Sequence, residues 1–336
     1  GFVSSSIQIL LIREMMNISG GYELIAGIFL GTWLITSAAG SSLAGKSQMS
    51  DLKKINLIFA LSPVFSLFLL FLLARLFLET GETPSFLISL LYTLIVLTPF
   101  CLVSGFTFVR LISVARQRSD FIPGKSFSIE TTGGITAGII MSTLISGDIG
   151  TYKAILVIIS LFAAYALLTY CIMSFNAKMF AKVLFTITIS LTILSDPDVF
   201  FRQILLPGIE IIESEDTPYG NITKGVYKEE KSVYYNQRLL TYKDDVIERE
   251  ENIHYAMLQH GSPSRVILIS GSLNSHLPEI MKYPVESVAY IERDPALAKT
   301  MMPDSISNSV FFSNSDAFSY IRKSSEKADV IIMLVP

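Results

Sequence analysis

Charged residues are scarce in this sequence. Asp, Glu, Lys and Arg make up 16% of the 336 residues, while 51% are hydrophobic. Soluble globular domains carry about 25% charged residues, and the mean hydropathy here is +0.52. The composition therefore excludes an ordinary soluble protein.

Cysteine and histidine are also rare. Cys101 and Cys171 both lie inside apolar runs, and the chain contains no CxxC or CxxCH motif. This excludes a disulfide framework and a covalently attached haem. The three histidines, His254, His260 and His276, all lie in the last third of the chain. No metal site is predicted in the apolar part.

The charge that is present divides the chain. Residues 1–208 contain 13 basic and 10 acidic residues among long apolar runs, and residues 209–336 contain 13 basic and 19 acidic residues. The acidic part lacks the basic patch of a nucleic-acid-binding protein, so no nucleic-acid partner is expected. We predict a transmembrane helical domain over 1–208 whose partner is the lipid bilayer.

Several apolar stretches are long enough to span a membrane, which takes about 20 residues. Six candidates cover residues 22–45, 55–78, 86–109, 128–147, 152–174 and 177–195. A seventh, 2–12, is too short and is interpreted as the end of a helix. The sequence predicts a multi-span α-helical bundle of about seven spans.

Basic residues fall in alternate connectors. Lys53 and Lys54 follow one span, Arg116 and Arg118 follow another, and Lys178 precedes the last. Basic connectors face the cytoplasm under the positive-inside rule. Since the basic connector at Lys178 precedes the last span, residues 209–336 emerge on the opposite side of the membrane. We therefore expect a bacterial inner-membrane protein whose residues 209–336 are extracytoplasmic.

Four polar residues interrupt the apolar spans. Gln8, Arg13 and Glu14 lie near the first span, where ionisable groups are costly unless they are paired or near the interface. We expect interfacial anchoring with an Arg13–Glu14 pair; a polar pathway or partner contact is the alternative. Glu130 precedes Gly133-Gly134, small residues that favour close helix packing. Within this segment, Glu130 is the candidate for a residue with a chemical role.

The acidic part combines strands and helices. Strands are predicted at 209–214, 221–228 and 232–239, which form a small β-strand subdomain over 209–244. A Rossmann-like α/β domain of the methyltransferase type follows over 245–336, with a helix at 245–259 and strands at 265–270, 287–291, 310–313 and 329–335. Glu292 closes one strand, 21 residues after Gly271. This spacing is typical of nucleotide-binding βαβ units, whose acid binds ribose hydroxyls.

The order of these motifs resembles the spermidine/spermine synthase (aminopropyltransferase) family over residues 209–336. The segments that carry the likeness are Glu213-Ser214, Tyr219-Gly220-Asn221, His254 to His260, Arg265 to Ile269, Tyr290 to Pro295 and Ser315-Asp316-Ala317. The apolar half resembles the multi-span segment of membrane-bound members at Gln8, Arg13-Glu14, Glu130 and Gly133-Gly134. Such a domain is normally longer, so we expect 245–336 to be C-terminally incomplete.

The resemblance implies three roles in binding a nucleotide like decarboxylated S-adenosylmethionine. Glu292 would contact the ribose, Asp316 the adenine amino group, and Gly271 would lie beneath the sulfur-bearing chain. Each acid also has an ordinary structural interpretation: Glu292 as a solvated strand-end residue, and Asp316 as a turn residue or N-cap.

Two departures from the family pattern concern catalysis. Asn274 occupies the position of the acid expected at the diamine amino group, and Leu334 that of the catalytic aspartate. Aminopropyl transfer needs a base to accept the proton of the attacking amine. No catalytic residue is therefore predicted.

Three function classes follow. The first hypothesis is a degenerate subunit that anchors or scaffolds a larger complex of membrane or extracytoplasmic proteins. The alternatives are an active membrane-tethered aminopropyltransferase and a small-molecule transporter that uses Glu130 and Arg13.

Overall fold

The computed structural model contains two compact units. It describes residues 1–47, 51–78, 84–117, 122–146, 149–170, 186, 190, 192, 194–242, 246–303, 305, 308–324 and 327–334. The first unit is Gly1–Asp216 and the second is Thr217–Pro336. The boundary between the units falls inside the predicted β-strand subdomain.

The first unit is helical. Its helices are α1 (Phe2–Ile18), α2 (Glu23–Lys46), α3 (Leu52–Phe77), α4 (Phe86–Ala115), α5 (Pro123–Ser146), α6 (Thr151–Tyr170) and α7 (Pro197–Leu205), and strand β1 (Glu210–Asp216) follows. Leu10 and Met15 of α1 are completely buried in the core, whereas Leu34 and Ile35 of α2 are more than half exposed. Apolar side chains on the outside of a helical bundle are suited to contact with lipid.

Three helices, α2, α3 and α4, are long and apolar enough to cross a membrane. Helix α6 has a shorter apolar stretch, Thr151–Ala166. Helix α1 extends well beyond the predicted segment 2–12, to Ile18, and has 17 residues. The predicted span 177–195 lies almost entirely outside the described residues, so about seven spans remains a prediction.

Small residues allow the helices of the first unit to approach closely. A Cβ atom on Gly40 of α2 would overlap the carbonyl oxygen of Leu102 in α4, and one on Gly133 of α5 would lie 2.7 Å from the backbone nitrogen of Phe2. Gly31, in contrast, has open space at its Cβ position. Close packing therefore accounts for Gly40 and Gly133 but not for every glycine in these helices.

The second unit begins with an antiparallel arrangement of β2 (Asn221–Tyr227), β3 (Glu230–Tyr235) and β4 (Arg238–Tyr242). The turn between β3 and β4 contains Asn236 and Gln237, with φ angles of +50° and +62°. The predicted strand 232–239 is wrong at this point, because positive φ angles at two successive residues reverse the chain into a hairpin.

A parallel α/β sheet follows in the same unit. Its elements are α8 (Val246–Met257), β5 (Arg265–Ile269), α9 (Leu273–Ile280), β6 (Ser287–Glu292), α10 (Pro295–Met301), β7 (Val310–Asn314), α11 (Ala317–Lys323) and β8 (Val330–Met333). The strand order is β7-β6-β5-β8, and the neighbouring strands are parallel. This is the predicted Rossmann-like arrangement. The carboxyl ends of its strands share one edge, where ligands bind in open α/β sheets.

Candidate functional site

The turn after β5 is unusual in its backbone conformation. Ser270 has φ +59° and Gly271 has φ +76°. Left-handed geometry is uncommon for a non-glycine residue and stores strain. The Ser270 hydroxyl donates to Glu292 Oε2 at 2.7 Å, and the Gly271 carbonyl accepts from the Tyr290 hydroxyl at 2.9 Å. Side chains of β6 therefore hold the turn in place.

Glu292 is a buried, oriented carboxylate and not a solvated strand-end residue. It is 5% exposed at the end of β6. Besides the Ser270 hydroxyl at Oε2, it accepts the backbone N–H of Asp294 at Oε1, 3.0 Å away. An ionised carboxylate offers about four lone-pair sites. Glu292 therefore retains the capacity to accept further hydroxyl donors.

Asp294 links the α/β sheet to the turn before β2. Its Oδ1 accepts the backbone N–H of Ala296 and caps α10, while its Oδ2 accepts the hydroxyl of Thr217 at 2.6 Å. The Thr217 Oγ1 atom accepts the backbone N–H of Gly220 at 3.1 Å. The turn at 217–220 is therefore fixed beside the loop that follows Glu292. Thr217 and Asp294 could not be identified from the sequence, because their contact joins residues 77 positions apart.

Asp316 caps a helix. Its side chain is exposed and accepts the backbone N–H of Ser319 at 3.0 Å, at the start of α11. The N-cap interpretation of this residue is therefore confirmed, and the role in adenine recognition remains a prediction. Asp316 follows β7 and so belongs to the same sheet edge as Glu292.

Leu334 packs on Gly271. Its backbone nitrogen donates to the carbonyl of Ile269 at 2.9 Å, which extends the pairing of β8 with β5. A Cβ atom on Gly271 would lie 3.0 Å from Leu334 Cβ and Cδ1. Asn274 is exposed in the first turn of α9. The structure thus brings Gly271, Glu292 and Leu334 together, and neither position 274 nor position 334 provides a carboxylate.

The first unit contains a separate cluster of buried charges. Glu14 and Arg202 are fully buried, with Oε1 to Nη1 at 2.5 Å and Oε2 to Nη2 at 2.9 Å. From the sequence, Glu14 was expected to pair with Arg13. Successive residues of a helix do not face each other, and the structure gives the two side chains different partners.

Asp216 connects the two arginines of this cluster. It lies 3.7 Å from Arg13 and 3.8 Å from Arg202, and it accepts the backbone N–H of Thr151 at 2.6 Å. Burial alone would raise the pKa of Asp216, but Arg202 and Arg13 outweigh burial and hold the pKa below its usual value. The carboxylate is therefore stabilised in its charged form.

Asp198 completes the cluster at the start of α6. Its carboxylate accepts the backbone N–H groups of Tyr152 at 2.9 Å and Lys153 at 3.2 Å. Burial, followed by the nearby Asp216, raises the pKa of Asp198 to about 6. The burial of Asp198 could not be predicted from the sequence, because the backbone groups that it accepts from lie more than 40 residues away.

The other polar residues of the first unit have different described partners. Gln8 is buried, and its Nε2 donates to the Ser4 hydroxyl at 3.3 Å. The Glu130 side chain is 40% exposed, and its Oε2 lies 2.7 Å from the backbone nitrogen of Gly1. Neither residue shares a described contact with the cluster around Arg202.

One further group in the second unit has metal-ligating atoms. Donor atoms of Glu250, His254 and Glu279 lie within 4.8 Å of one another. Glu279 also forms ion pairs with Lys282 and Arg249, and Lys282 lowers the pKa of Glu279. Two cations already balance the buried carboxylate, so this arrangement is suited to a salt-bridge cluster.

No family model matches the chain. The chain is 24% identical to the polyamine aminopropyltransferase of Leptospira interrogans over 353 residues, which cover 94% of this chain and 69% of that protein. Among solved structures, it is similar to the spermidine synthase of Thermotoga maritima, with 21% identity and a TM-score of 0.34. That match covers 37% of this chain and 48% of the other.

A second solved structure, a spermidine synthase in complex with the transition state analogue AdoDATO, is also 21% identical, with a TM-score of 0.35. The match covers 38% of this chain and 47% of that one, so it includes about half of the solved protein. The similarity to the Leptospira protein extends over nearly the whole sequence of both units. The predicted resemblance to the aminopropyltransferase family is confirmed: the chain is similar to a polyamine aminopropyltransferase over 94% of its length.

Proposed function

We propose that this protein is a membrane-anchored, non-catalytic relative of the spermidine synthases. Its α/β unit binds an adenine nucleoside or nucleotide at the carboxyl edge of the parallel sheet but does not transfer an aminopropyl group. It acts as a subunit that anchors or scaffolds a larger membrane complex. The observation that carries this proposal is the packing of Leu334 on Gly271.

The loss of transfer follows from the chemistry of the reaction. A neutral amine must attack the carbon next to a sulfonium, and a base must take up the amine's proton. The leucine side chain at position 334 cannot accept a proton, and the exposed amide of Asn274 cannot balance a cationic amine. Loss of a positioned base costs about 10²–10⁴ in rate.

Nucleoside binding is supported by the groups that remain. Glu292 is held by Ser270 and by the backbone of Asp294, and its free lone pairs suit the hydroxyls of a ribose. These features do not depend on Asn274 or Leu334.

Membrane anchoring is supported by α2, α3 and α4, each long and apolar enough to span a bilayer. We place the protein in a bacterial inner membrane, with residues 209–336 on the extracytoplasmic side. Because that part carries 19 acidic against 13 basic residues, it favours a partner with a basic surface.

The second candidate function is an active membrane-tethered aminopropyltransferase. It is favoured by the similarity to the polyamine aminopropyltransferase of Leptospira interrogans, which includes 94% of this chain. In that case a group other than residue 334 must accept the proton.

An activity assay separates the two functions. We expect purified full-length protein in nanodiscs to form no spermidine from putrescine and decarboxylated S-adenosylmethionine. Leu334→Asp combined with Asn274→Asp supplies both missing acids and should raise product above background, whereas Leu334→Ile should not. Turnover by the unaltered protein would contradict the non-catalytic proposal.

Nucleoside binding is measured separately by calorimetry with methylthioadenosine. Binding to the unaltered protein is expected, and Glu292→Ala should weaken it at least tenfold. The matched control is Glu286→Ala, which removes an exposed acid near the start of β6 and should leave binding unchanged.

A further inference from the structure

Arg293 directly follows the ribose-binding candidate Glu292 in the sequence. The Arg293 side chain is exposed, and its guanidinium carbon lies 4.6 Å from the centre of the Tyr219 ring. An arginine over an aromatic face is stabilised by the ring quadrupole, and its guanidinium keeps its hydrogen-bond donors available in the plane. The Tyr219–Arg293 pair therefore forms an exposed, positively charged surface.

The backbone on both sides of this surface is fixed. Asn314 Nδ2 donates to the carbonyl of Glu292 at 2.8 Å and to that of Arg293 at 3.0 Å. The next backbone N–H, that of Asp294, donates to the Glu292 carboxylate. Arg293 thus starts from an anchored backbone position next to an oriented carboxylate.

The partner ring is also held in place. Tyr219 lies in the turn at 217–220, and its backbone N–H donates to the Thr217 Oγ1 atom at 3.1 Å. The Thr217 hydroxyl in turn donates to Asp294, one residue after Arg293. The hydrogen bond between Thr217 and Asp294 therefore joins the turn that carries the tyrosine to the loop that carries the arginine.

Arg293 contributes a positive charge at this edge, among the carboxylates of Glu292, Asp294 and Asp316. The two positions expected to be acidic are neutral, at Asn274 and Leu334, and the carboxylate of Asp316 is engaged as a helix cap. Arg293 adds a positive charge next to Glu292. A cationic sulfonium nucleoside gains nothing from this arginine, whereas a phosphate can form charge-assisted, bidentate hydrogen bonds with it.

We propose that the Tyr219–Arg293 surface is a phosphate subsite, and that the ligand of this edge is an adenine nucleotide carrying a phosphate on its ribose. In this arrangement Glu292 binds a free ribose hydroxyl and Arg293 binds the phosphate. An arginine near the ribose acid serves the 2′-phosphate of dinucleotides in the same way. The inference rests on the proposed function, because it specifies the ligand of the same site.

The test compares four probes on full-length protein in nanodiscs by calorimetry: adenosine and its 2′-, 3′- and 5′-monophosphates. We expect at least one monophosphate to bind about tenfold more tightly than adenosine, with an advantage that falls as salt rises. Arg293→Gln should abolish the advantage and leave adenosine binding unchanged. Tyr219→Leu should reduce it, because the guanidinium loses its support.

The matched control is Lys299→Gln, which removes an exposed cation from α10 of the same unit and should preserve the phosphate advantage. Equal binding of adenosine and all three monophosphates would overturn the phosphate subsite alone. A uniform loss of affinity for every probe in Arg293→Gln would overturn it too, since that pattern reports a structural role. If none of the four probes bound, the proposed nucleoside site itself would be overturned.

Discussion

Arg202 and Glu14 form a completely buried, two-point ion pair although they are 188 residues apart in the sequence. The pair joins α7 to α1, and Asp216 links it to Arg13. Each charge alone would be expensive to bury. The last elements of the first unit are thus tied to its first helix.

The first prediction concerns this pair. Arg202→Met leaves Glu14 buried without its main counter-charge and should lower the free energy of unfolding by about 3–5 kcal/mol. Glu14→Leu in the Arg202→Met background should recover part of that loss, because no uncompensated carboxylate remains at position 14. Thermal and denaturant unfolding in detergent measure both effects.

The control for this prediction is Arg75→Met, which removes an exposed arginine from α3. Its cost should stay within about 0.5 kcal/mol, as for other surface substitutions. An Arg202→Met variant as stable as the Arg75 control would contradict the structural role of the pair.

The second prediction concerns pH and Asp198. Its pKa is raised to about 6 in the folded protein by burial and by Asp216, whereas an unfolded aspartate titrates near about 4. The stability from this group is therefore complete below about pH 4 and is lost as pH rises through about 6. Asp198→Asn cannot ionise, so its stability relative to the unaltered protein should improve by about 1 kcal/mol between pH 5 and 7.5.

Unfolding midpoints at several pH values test this sign. Asp196→Asn is a suitable control, because Asp196 is exposed, caps α7 and is replaced by another good N-cap. Its pH profile should match that of the unaltered protein. A relative stability of Asp198→Asn that falls between pH 5 and 7.5 would refute the raised pKa.

Local pattern was sufficient to predict the parallel sheet. Strands β5 and β6 are short apolar runs, and the distance from Gly271 to Glu292 predicted a βαβ unit with both residues at the carboxyl edge of the sheet, where the structure places them. The hairpin at Asn236 was missed because strand-forming residues continue on both sides of it. The reversal depends on two positive φ angles, which a run of β-propensity does not encode.

The buried charges could not be predicted in the same way. Arg202 and Asp198 lie in a short helix after an apolar run, where acidic and basic residues ordinarily face water. Their partners come from α1, α6 and β1. Such contacts depend on tertiary packing between distant segments, so periodicity and spacing carry no information about them.

The third prediction compares two glycines of α2. Gly40→Ala places a methyl group against the backbone carbonyl of Leu102, which cannot move aside without displacing α4. A loss of about 1–3 kcal/mol is expected from such overpacking. Gly31→Ala adds its methyl group in open space. This variant should be neutral or stabilising by up to about 1 kcal/mol, because alanine favours a helix.

Unfolding in detergent under identical conditions gives both values for the glycine pair. The two variants carry the same chemical change in the same helix, so helix propensity cancels between them. Equal stability of Gly40→Ala and Gly31→Ala would show that α2 and α4 are not packed as closely as the structure has them.

The last prediction concerns the orientation of the chain in the membrane. Single cysteines at positions 50 and 118 mark the basic connectors, and single cysteines at 81 and 230 mark an acidic connector and the α/β part, in a background with Cys101 and Cys171 replaced. Because basic connectors stay in the cytoplasm, an impermeant maleimide on intact cells should label positions 81 and 230. Positions 50 and 118 should react only after permeabilisation, which also shows that they are accessible.

Labelling of positions 50 and 118 alone in intact cells would show that the chain has the opposite orientation. The sheet edge at Glu292 would then face the cytoplasm, where decarboxylated S-adenosylmethionine is made, and the active-enzyme alternative would gain support.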